Sequence, residues 1–374
     1  MNNSIKNNIN CSGCGVCKSI CPKNAITFET NSMGFSRPLV NDTCIECGLC
    51  VKKCHEYKIY NGHKIQKVYT AYSHDAYIRN NSSSGGVFSE IAIQTIANGG
   101  FVCAAGFDKT FKLHHQIVDS LKELDGLRKS KYLESDTVEI WDQLKKRIKK
   151  DTQARGIFVG TPCQCNALHS YLGEMADNIL VVDFICHGVA SPAIFEKYKN
   201  YLSQKFGAPR KIDFRHKENG NDSYFLFDGE SGKYMIPNYT ESYPYAYASG
   251  LIIADDCTHC KYCSLERYSD ITLGDYVGDN ADYSKSTIFV NTEKGEEILQ
   301  QCNNLMLIEA DMNSIISKSW HLTTPNSYNP NRAKVFSLLD KPWDYLEKKF
   351  FHKPSRFQLY KEAIVKKIYK LINI

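Results

Sequence analysis

No stretch of the 374 residues approaches the roughly 18 consecutive apolar positions of a membrane-spanning helix. The first ten residues are polar and rich in Asn, without the apolar centre of an export signal, so a cytoplasmic protein is expected. The fingerprint G-x-G-x-x-G is missing, and so is a Walker A loop, which removes the common nucleotide-binding readings. The run C-x3-C-x2-C of radical enzymes using S-adenosylmethionine is missing too. Charge is close to balanced at a formal +5.

What the chain has in excess is cysteine. There are 16, and eight of them precede Tyr57. Without an export signal, clustered cysteines at short spacing read as metal ligands rather than as disulfides. The apolar fraction of 43% and charged fraction of 23% fit an ordinary globular protein with a full-sized core.

The first run is Cys11, Cys14, Cys17 and Cys21, followed by Pro22. The second is Cys44, Cys47, Cys50 and Cys54, followed by His55 where the pattern has Pro. Both obey C-x2-C-x2-C-x3-C, the spacing of two-cluster bacterial ferredoxins. Three cysteines wrap one cubane in a tight loop that Gly13, Gly15 and Gly48 permit, and the fourth reaches the other cubane. Cluster one is therefore expected on Cys11, Cys14, Cys17 and Cys54, and cluster two on Cys21, Cys44, Cys47 and Cys50. A pair of zinc sites is the competing reading of these cysteines. Each four-thiolate cubane carries about −2 when oxidised. Three of them, counting the further set below, would cancel the formal charge and leave no case for a nucleic-acid partner.

Beyond a polar connector at 57–67 the pattern is mixed. Helical spacing marks 85–97, 136–150, 191–206 and 292–301. Short apolar or alternating runs mark strands at 25–28, 101–107, 157–160, 179–185, 211–215, 223–227, 233–236, 271–273 and 287–290. The expectation is an α+β or α/β protein: a small ferredoxin-like domain over 1–60, a larger mixed domain over 61–325, and a tail over 326–374. In the tail Phe357, Tyr360, Ile364, Ile368 and Leu371 share one helical face among Lys361, Lys366, Lys367 and Lys370. That helix either packs on its own domain or makes weak contact with an anionic membrane surface.

Cys163 and Cys186 sit at the ends of expected strands, and Cys257, Cys260 and Cys263 in one loop. Taken alone, Cys163 and Cys186 read as small buried hydrophobes, and the 257/260 pair as half a zinc knuckle. Together they offer four thiolates where strands end. The order of these cysteines with Ser84-Gly85-Gly86-Val87, Ser130-Lys131-Tyr132, Gly160-Thr161-Pro162-Cys163-Gln164, Cys186-His187-Gly188, the segment 269–275 and the segment 291–295 resembles the coenzyme F420 hydrogenase/dehydrogenase beta subunit family. The resemblance spans roughly 68–310, fronted by the ferredoxin runs.

That resemblance implies a third 4Fe–4S cluster on Cys163, Cys186, Cys257 and Cys260, with Cys263 as an extra thiol able to replace Cys260. It also implies FAD. Ser83, Ser84, Gly85 and Gly86 would offer backbone N–H groups to phosphate, or simply cap a helix. Lys131 would pair with the pyrophosphate, or be a surface lysine, and Tyr132 would offer a ring face. Thr161 and Pro162 would bring flavin beside Cys163. A Trp frequent near Val277 in the family is missing. Cys103, Cys165 and Cys302 read as packing residues. His114, His115 and His216 titrate in a useful range, but nothing selects them, and no catalytic residue is assigned.

The expected function is a flavin-dependent oxidoreductase joining ferredoxin-type clusters to an organic two-electron substrate. That substrate is coenzyme F420 or, in bacteria lacking it, an unassigned compound linked to polysaccharide synthesis. The alternatives are an electron-transfer subunit serving a separate catalytic protein, and an iron–sulfur sensor or scaffold. A redox protein partner and a small-molecule substrate are expected.

Overall fold

The computed structural model describes residues 5, 11–57, 62–150, 155–218, 223–278, 282 and 284–351. The amphipathic tail helix expected over 353–374 lies outside the described residues.

The N-terminal module is a hairpin of β1 (Ile26–Thr30) and β2 (Ser36–Val40), with single-turn helices α1 (Val16–Ser19) and α2 (Leu49–Lys52). Each helix follows a glycine in the left-handed region, and each carries the third cysteine of its run. The requirement is sharpest at Gly15. Its φ is +82°, and a Cβ there would lie 2.6 Å from Val138 Cα of the larger domain.

The larger domain is built on an eight-stranded sheet. In chain order its strands are β3 (Lys67–Ser73), β4 (Phe101–Phe107), β5 (Leu113–Val118), β6 (Gly156–Val159) and β7 (Ile179–Phe184). A separate antiparallel meander follows, of β8 (Pro209–His216), β9 (Tyr224–Gly229) and β10 (Gly232–Pro237). The chain then returns to the large sheet with β11 (Ile271–Asp275), β12 (Ser286–Val290) and β13 (Leu305–Glu309). The spatial order is β13-β3-β12-β11-β7-β6-β4-β5. The four strands β4, β6, β7 and β11 run parallel, flanked by antiparallel strands on both sides. The protein is thus a mixed α/β fold.

Side chains alternate across the sheet, as the pleat requires. Val102, Ala104, Ile157, Leu180 and Val182 enter one core beneath α3 (Val87–Ala97). Phe101, Cys103, Phe158, Ile179 and Val181 enter the opposite core with α4 (Ile140–Lys150) and α5 (Pro162–Leu172). α4 begins four residues later than its spacing predicts. Asp136 bridges to His114 and accepts from the Val138 N–H at 2.7 Å, which holds that stretch extended. A third core joins the meander to α6 (Pro192–Phe206), α7 (Ser242–Ala248) and α8 (Trp343–Phe350).

The N-terminal module is sewn into two of these cores. Val16 belongs to the α4/α5 core and Phe35 to the meander core, where it packs on Phe336. The carbonyl of Cys14 accepts from Trp141 Nε1 at 2.6 Å and from Thr137 Oγ1 at 2.9 Å. Trp141 is fully buried, and truncating a buried Trp costs about 3–5 kcal/mol. Arg37 bonds Glu134 at 2.8 Å, and Ser191 Oγ donates to the Met33 carbonyl at 2.7 Å.

Candidate functional site

Folding the two cysteine runs back to back produces two cavities in the N-terminal module. One is lined by Cys11, Cys14, Cys17 and Cys54, with Phe28 and Pro38 from the hairpin. The other is lined by Cys21, Cys44, Cys47 and Cys50, with Ile26 and Val40. The fourth cysteine of each run therefore lines the cavity of the other, as the spacing predicts. Burial pushes the Cys11 thiol up to about 11 and those of Cys14 and Cys17 higher, reinforced in each case by neighbouring cysteines. Metal binding to such neutral thiols releases their protons.

Four cysteines line each cavity, and four thiolates are the donor set of a 4Fe–4S cubane.

The third set forms at the C-terminal ends of the parallel strands, where open α/β sheets place their ligands. β6 and β7 are neighbours, with Val159 opposite Val182. β6 runs directly into α5, whose first turn holds Cys163, and Cys186 follows the end of β7. Thr161 N–H donates to Gln164 Oε1 at 3.0 Å, and Thr161 Oγ1 stands 3.0 Å from Cys163 Sγ. Cys257 lies in the short helix Asp256–His259, and Cys260 follows it. Burial raises the Cys163 thiol strongly, and Cys260 and Cys186 add to the effect. Cys257 is raised by burial, Asp256, Cys186 and Cys163, and Cys186 is pushed up to about 12. The four nominated sulfurs therefore share one electrostatic neighbourhood. Cys263 is beside them: its hydrogen bond lowers Cys260 and raises Cys263 itself.

Arg267 anchors this cysteine loop, and sequence reasoning missed it. Its guanidinium donates to the carbonyls of Tyr262 and Ser264 and to Asp183 on β7. A short pairing of Glu266–Arg267 with His63–Lys64 also ties the loop to the connector.

The residues nominated for flavin are brought together in part. Ser83 Oγ meets Ser130 Oγ at 2.9 Å and accepts from Ser130 N–H. The loop from Ser130 continues to Ser135, whose Oγ accepts from Gln164 Nε2 at 3.0 Å, next to Thr161 and Pro162. Their polar groups, however, are engaged within the chain. Ser84 Oγ donates to Asp275 at 2.5 Å, and Gly85 N–H donates to Ser286 Oγ at 2.9 Å. A Cβ at Gly85 would lie 2.4 Å from the Ala71 carbonyl, so this glycine serves close backbone packing. Gly86 caps α3, whose first turn already carries buried Glu90 bonded to Ser73, a poor setting for a phosphate. Lys131 spends its three protons on the carbonyls of Ala105, Leu127 and Arg128 at 2.8–3.0 Å, rather than offering them to a pyrophosphate. Burial pulls its pKa down to about 7. Tyr132 stacks on Tyr247 with centroids 4.8 Å apart.

Around these residues lies a cationic group that the sequence did not reveal. Lys129 pairs with Asp213 at 2.6 Å, Arg215 pairs with Asp275 at 2.8 Å, and Lys217 donates to the Arg79 and Ser84 carbonyls. Arg128 is buried and pairs with Asp125 at 3.1 Å. Of the three nominated histidines, His115 bonds Val159 O at 3.0 Å and Ser135 Oγ at 3.2 Å, and burial lowers its pKa to about 4. His216 leans on Asp213, and His114 bridges to Asp136. Cys103, Cys165 and Cys302 are buried packing residues.

Three comparisons bear on this geometry. Residues 154–314 match the family model for the C terminus of the coenzyme F420 hydrogenase/dehydrogenase beta subunit, and residues 68–141 match the model for its N terminus. Residues 10–59 match a 4Fe-4S dicluster domain. The coenzyme F420-dependent sulfite reductase of Methanocaldococcus jannaschii is 26% identical over 303 residues, covering 77% of this chain. The chain spans 45% of that relative's length. The ferredoxin-type protein NapF of Haemophilus influenzae is 48% identical over 42 residues, 11% of this chain and 24% of that protein. A chain of the xenon-derivatised F420-reducing NiFe hydrogenase complex from Methanosarcina barkeri superposes with a TM-score of 0.49 at 17% identity, covering 74% of this chain and 92% of that one. With both halves of one family's model matched in order behind a dicluster domain, the chain belongs to the coenzyme F420 hydrogenase/dehydrogenase beta subunit family.

Proposed function

We propose that this chain is a three-cubane electron-transfer subunit serving a separate catalytic protein. Cys11, Cys14, Cys17 and Cys54 hold the first cubane, Cys21, Cys44, Cys47 and Cys50 the second, and Cys163, Cys186, Cys257 and Cys260 the third. A thiolate-bound cubane takes up or gives back one electron at a time. The chain's own contribution is to fix the three sets and hold the third at the strand ends. The observation that carries the reading is the pair of cavities, each lined by four cysteines and each completed by a cysteine from the other run. Anaerobic purification with iron and sulfide counts tests it. About twelve irons per chain are expected, at four per cubane. Zinc in their place overturns it.

A second reading, a flavin-dependent oxidoreductase acting on a two-electron coenzyme such as the F420 of its relatives, is favoured by the cationic group around Ser83 and Ser84. The engaged hydrogen bonds of Ser84, Gly85 and Lys131 count against the flavin contacts first nominated, and no step is assigned through a flavin. One flavin per chain and F420-dependent bleaching of its absorbance would establish this reading over the first.

A further inference from the structure

We propose that Tyr262 and His55 are positioning residues that lock the first cubane's loop against the third cubane's loop, making the N-terminal module a fixed junction rather than a tethered carrier. This rests on the three-cubane reading. His55 immediately follows Cys54, and Tyr262 lies between Cys260 and Cys263. His55 is fully buried, Tyr262 nearly so, and His55 Nδ1 is bonded to the Tyr262 hydroxyl.

Asn166 Nδ2 donates to the Tyr262 oxygen at 3.2 Å. His55 Nδ1 faces both the Tyr262 hydroxyl and, at 3.3 Å, a Glu56 carboxylate oxygen, and its Nε2 meets Ser12 Oγ at 3.0 Å. The chain Asn166–Tyr262–His55–Ser12 thus starts on α5, one turn after Cys163, and ends beside Cys11. Lys261 clamps the same seam, donating to the His55 carbonyl at 2.9 Å and pairing with Glu56 at 3.0 Å. Ser170 and Lys53 add a further contact, with Lys53 Nζ on the Ser170 carbonyl at 3.0 Å. Among the described residues no such seam joins the second cubane's loop, whose Cys47 is exposed. Its open side suits exchange with an outside redox protein.

With Cys11, Cys14, Cys17 and Cys54 on one side of the junction and Cys163, Cys186, Cys257 and Cys260 on the other, cubanes held there would supply one-electron exchange across it, with no bond made or broken. His55 explains its own departure from the ferredoxin pattern: a Pro there has no side-chain donor or acceptor to join the two loops.

The test compares the anaerobic wild-type chain with Tyr262→Phe and His55→Gln. Tyr262→Phe keeps the ring but loses the hydroxyl, and His55→Gln keeps a polar group of similar reach. The readouts are iron count, the electron paramagnetic resonance signature of each reduced cubane, and the rate of internal electron transfer after flash reduction. Tyr262→Phe should keep its iron and its signatures while internal transfer slows. His55→Gln should slow it less. Unchanged transfer in both variants at full iron overturns the inference. About eight irons in the wild type overturns the three-cubane reading instead, at four per cubane.

Discussion

The guanidinium of Arg267 donates to the carboxylate of Asp183 at 2.8 Å, with both side chains sealed from water at 2% and 0% exposure. Arg267 also bonds Thr272 Oγ1 and two carbonyls of the cysteine loop. Arg267→Met leaves the buried Asp183 carboxylate without its counter-charge, with only the Thr272 and Ser269 hydroxyls bonded to it, and frees the loop holding Cys260. Removing one partner of a buried pair costs about 3–5 kcal/mol. The expected outcome is that loss in chemical denaturation, together with loss of the third cubane's iron while the first two keep theirs. A variant as stable and iron-rich as the wild type would show that β7 holds the loop without this pair.

Cys260 and Cys263 are hydrogen-bonded neighbours, and it is Cys260 whose charge bears on both Cys163 and Cys186. Cys260→Ser should drop iron from about twelve to about eight per chain, and Cys263→Ser should leave it unchanged. The reverse pattern would move the ligand to Cys263.

The local signals were the legible ones. The ferredoxin runs are contiguous, so their spacing alone foretold which cysteines line which cavity. Strand β4 and helix α6 match their expected spans because each is an unbroken apolar or amphipathic run with clear punctuation, Gly100 before one and Pro192 within the other. Strands β3 and β13 went unread. β3 pairs with β12 and β13, more than two hundred residues away, and such a partner leaves no mark on local pattern. Phe35 looks like a hairpin residue in sequence, yet it fills a core made by α6 and the meander. Lys131 shows a different limit: Leu127 and Arg128 are close in sequence, but the third acceptor, Ala105, belongs to β4, and no local charge pattern marks a lysine that turns inward onto carbonyls.

Asp213 gives the fold an acid limit. Burial pushes its carboxyl up, but the His216 hydrogen bond, the Lys129 ammonium and the Arg215 amide outweigh burial and hold it at about 2 against an ordinary 3.8. A depressed folded pKa means the unfolded chain binds the proton more readily. The stabilisation is therefore complete above about pH 5, falls as pH drops through 3.8, and is gone below 2. It amounts to about 2 kcal/mol. Asp213→Asn should lose that amount in denaturation at pH 7 and little at pH 2. A loss equal at both pH values would assign the effect to packing instead.

Lys131 separates a structural lysine from a cofactor contact. In the fold its ammonium fills a nest of the Ala105, Leu127 and Arg128 carbonyls, at the turn that presents Ser130 to Ser83. Methionine has similar length and no donor. Lys131→Met leaves those carbonyls without their shared partner, at a cost of about 1–3 kcal/mol. The 128–131 turn should loosen, read as faster amide exchange there, while the flavin content of the purified protein stays at its wild-type value. If the lysine instead served a pyrophosphate, the variant would lose flavin at nearly wild-type stability, because the apoprotein would then have no need of the charge. Each outcome changes one measurement and leaves the other unchanged, so one protein preparation decides between them.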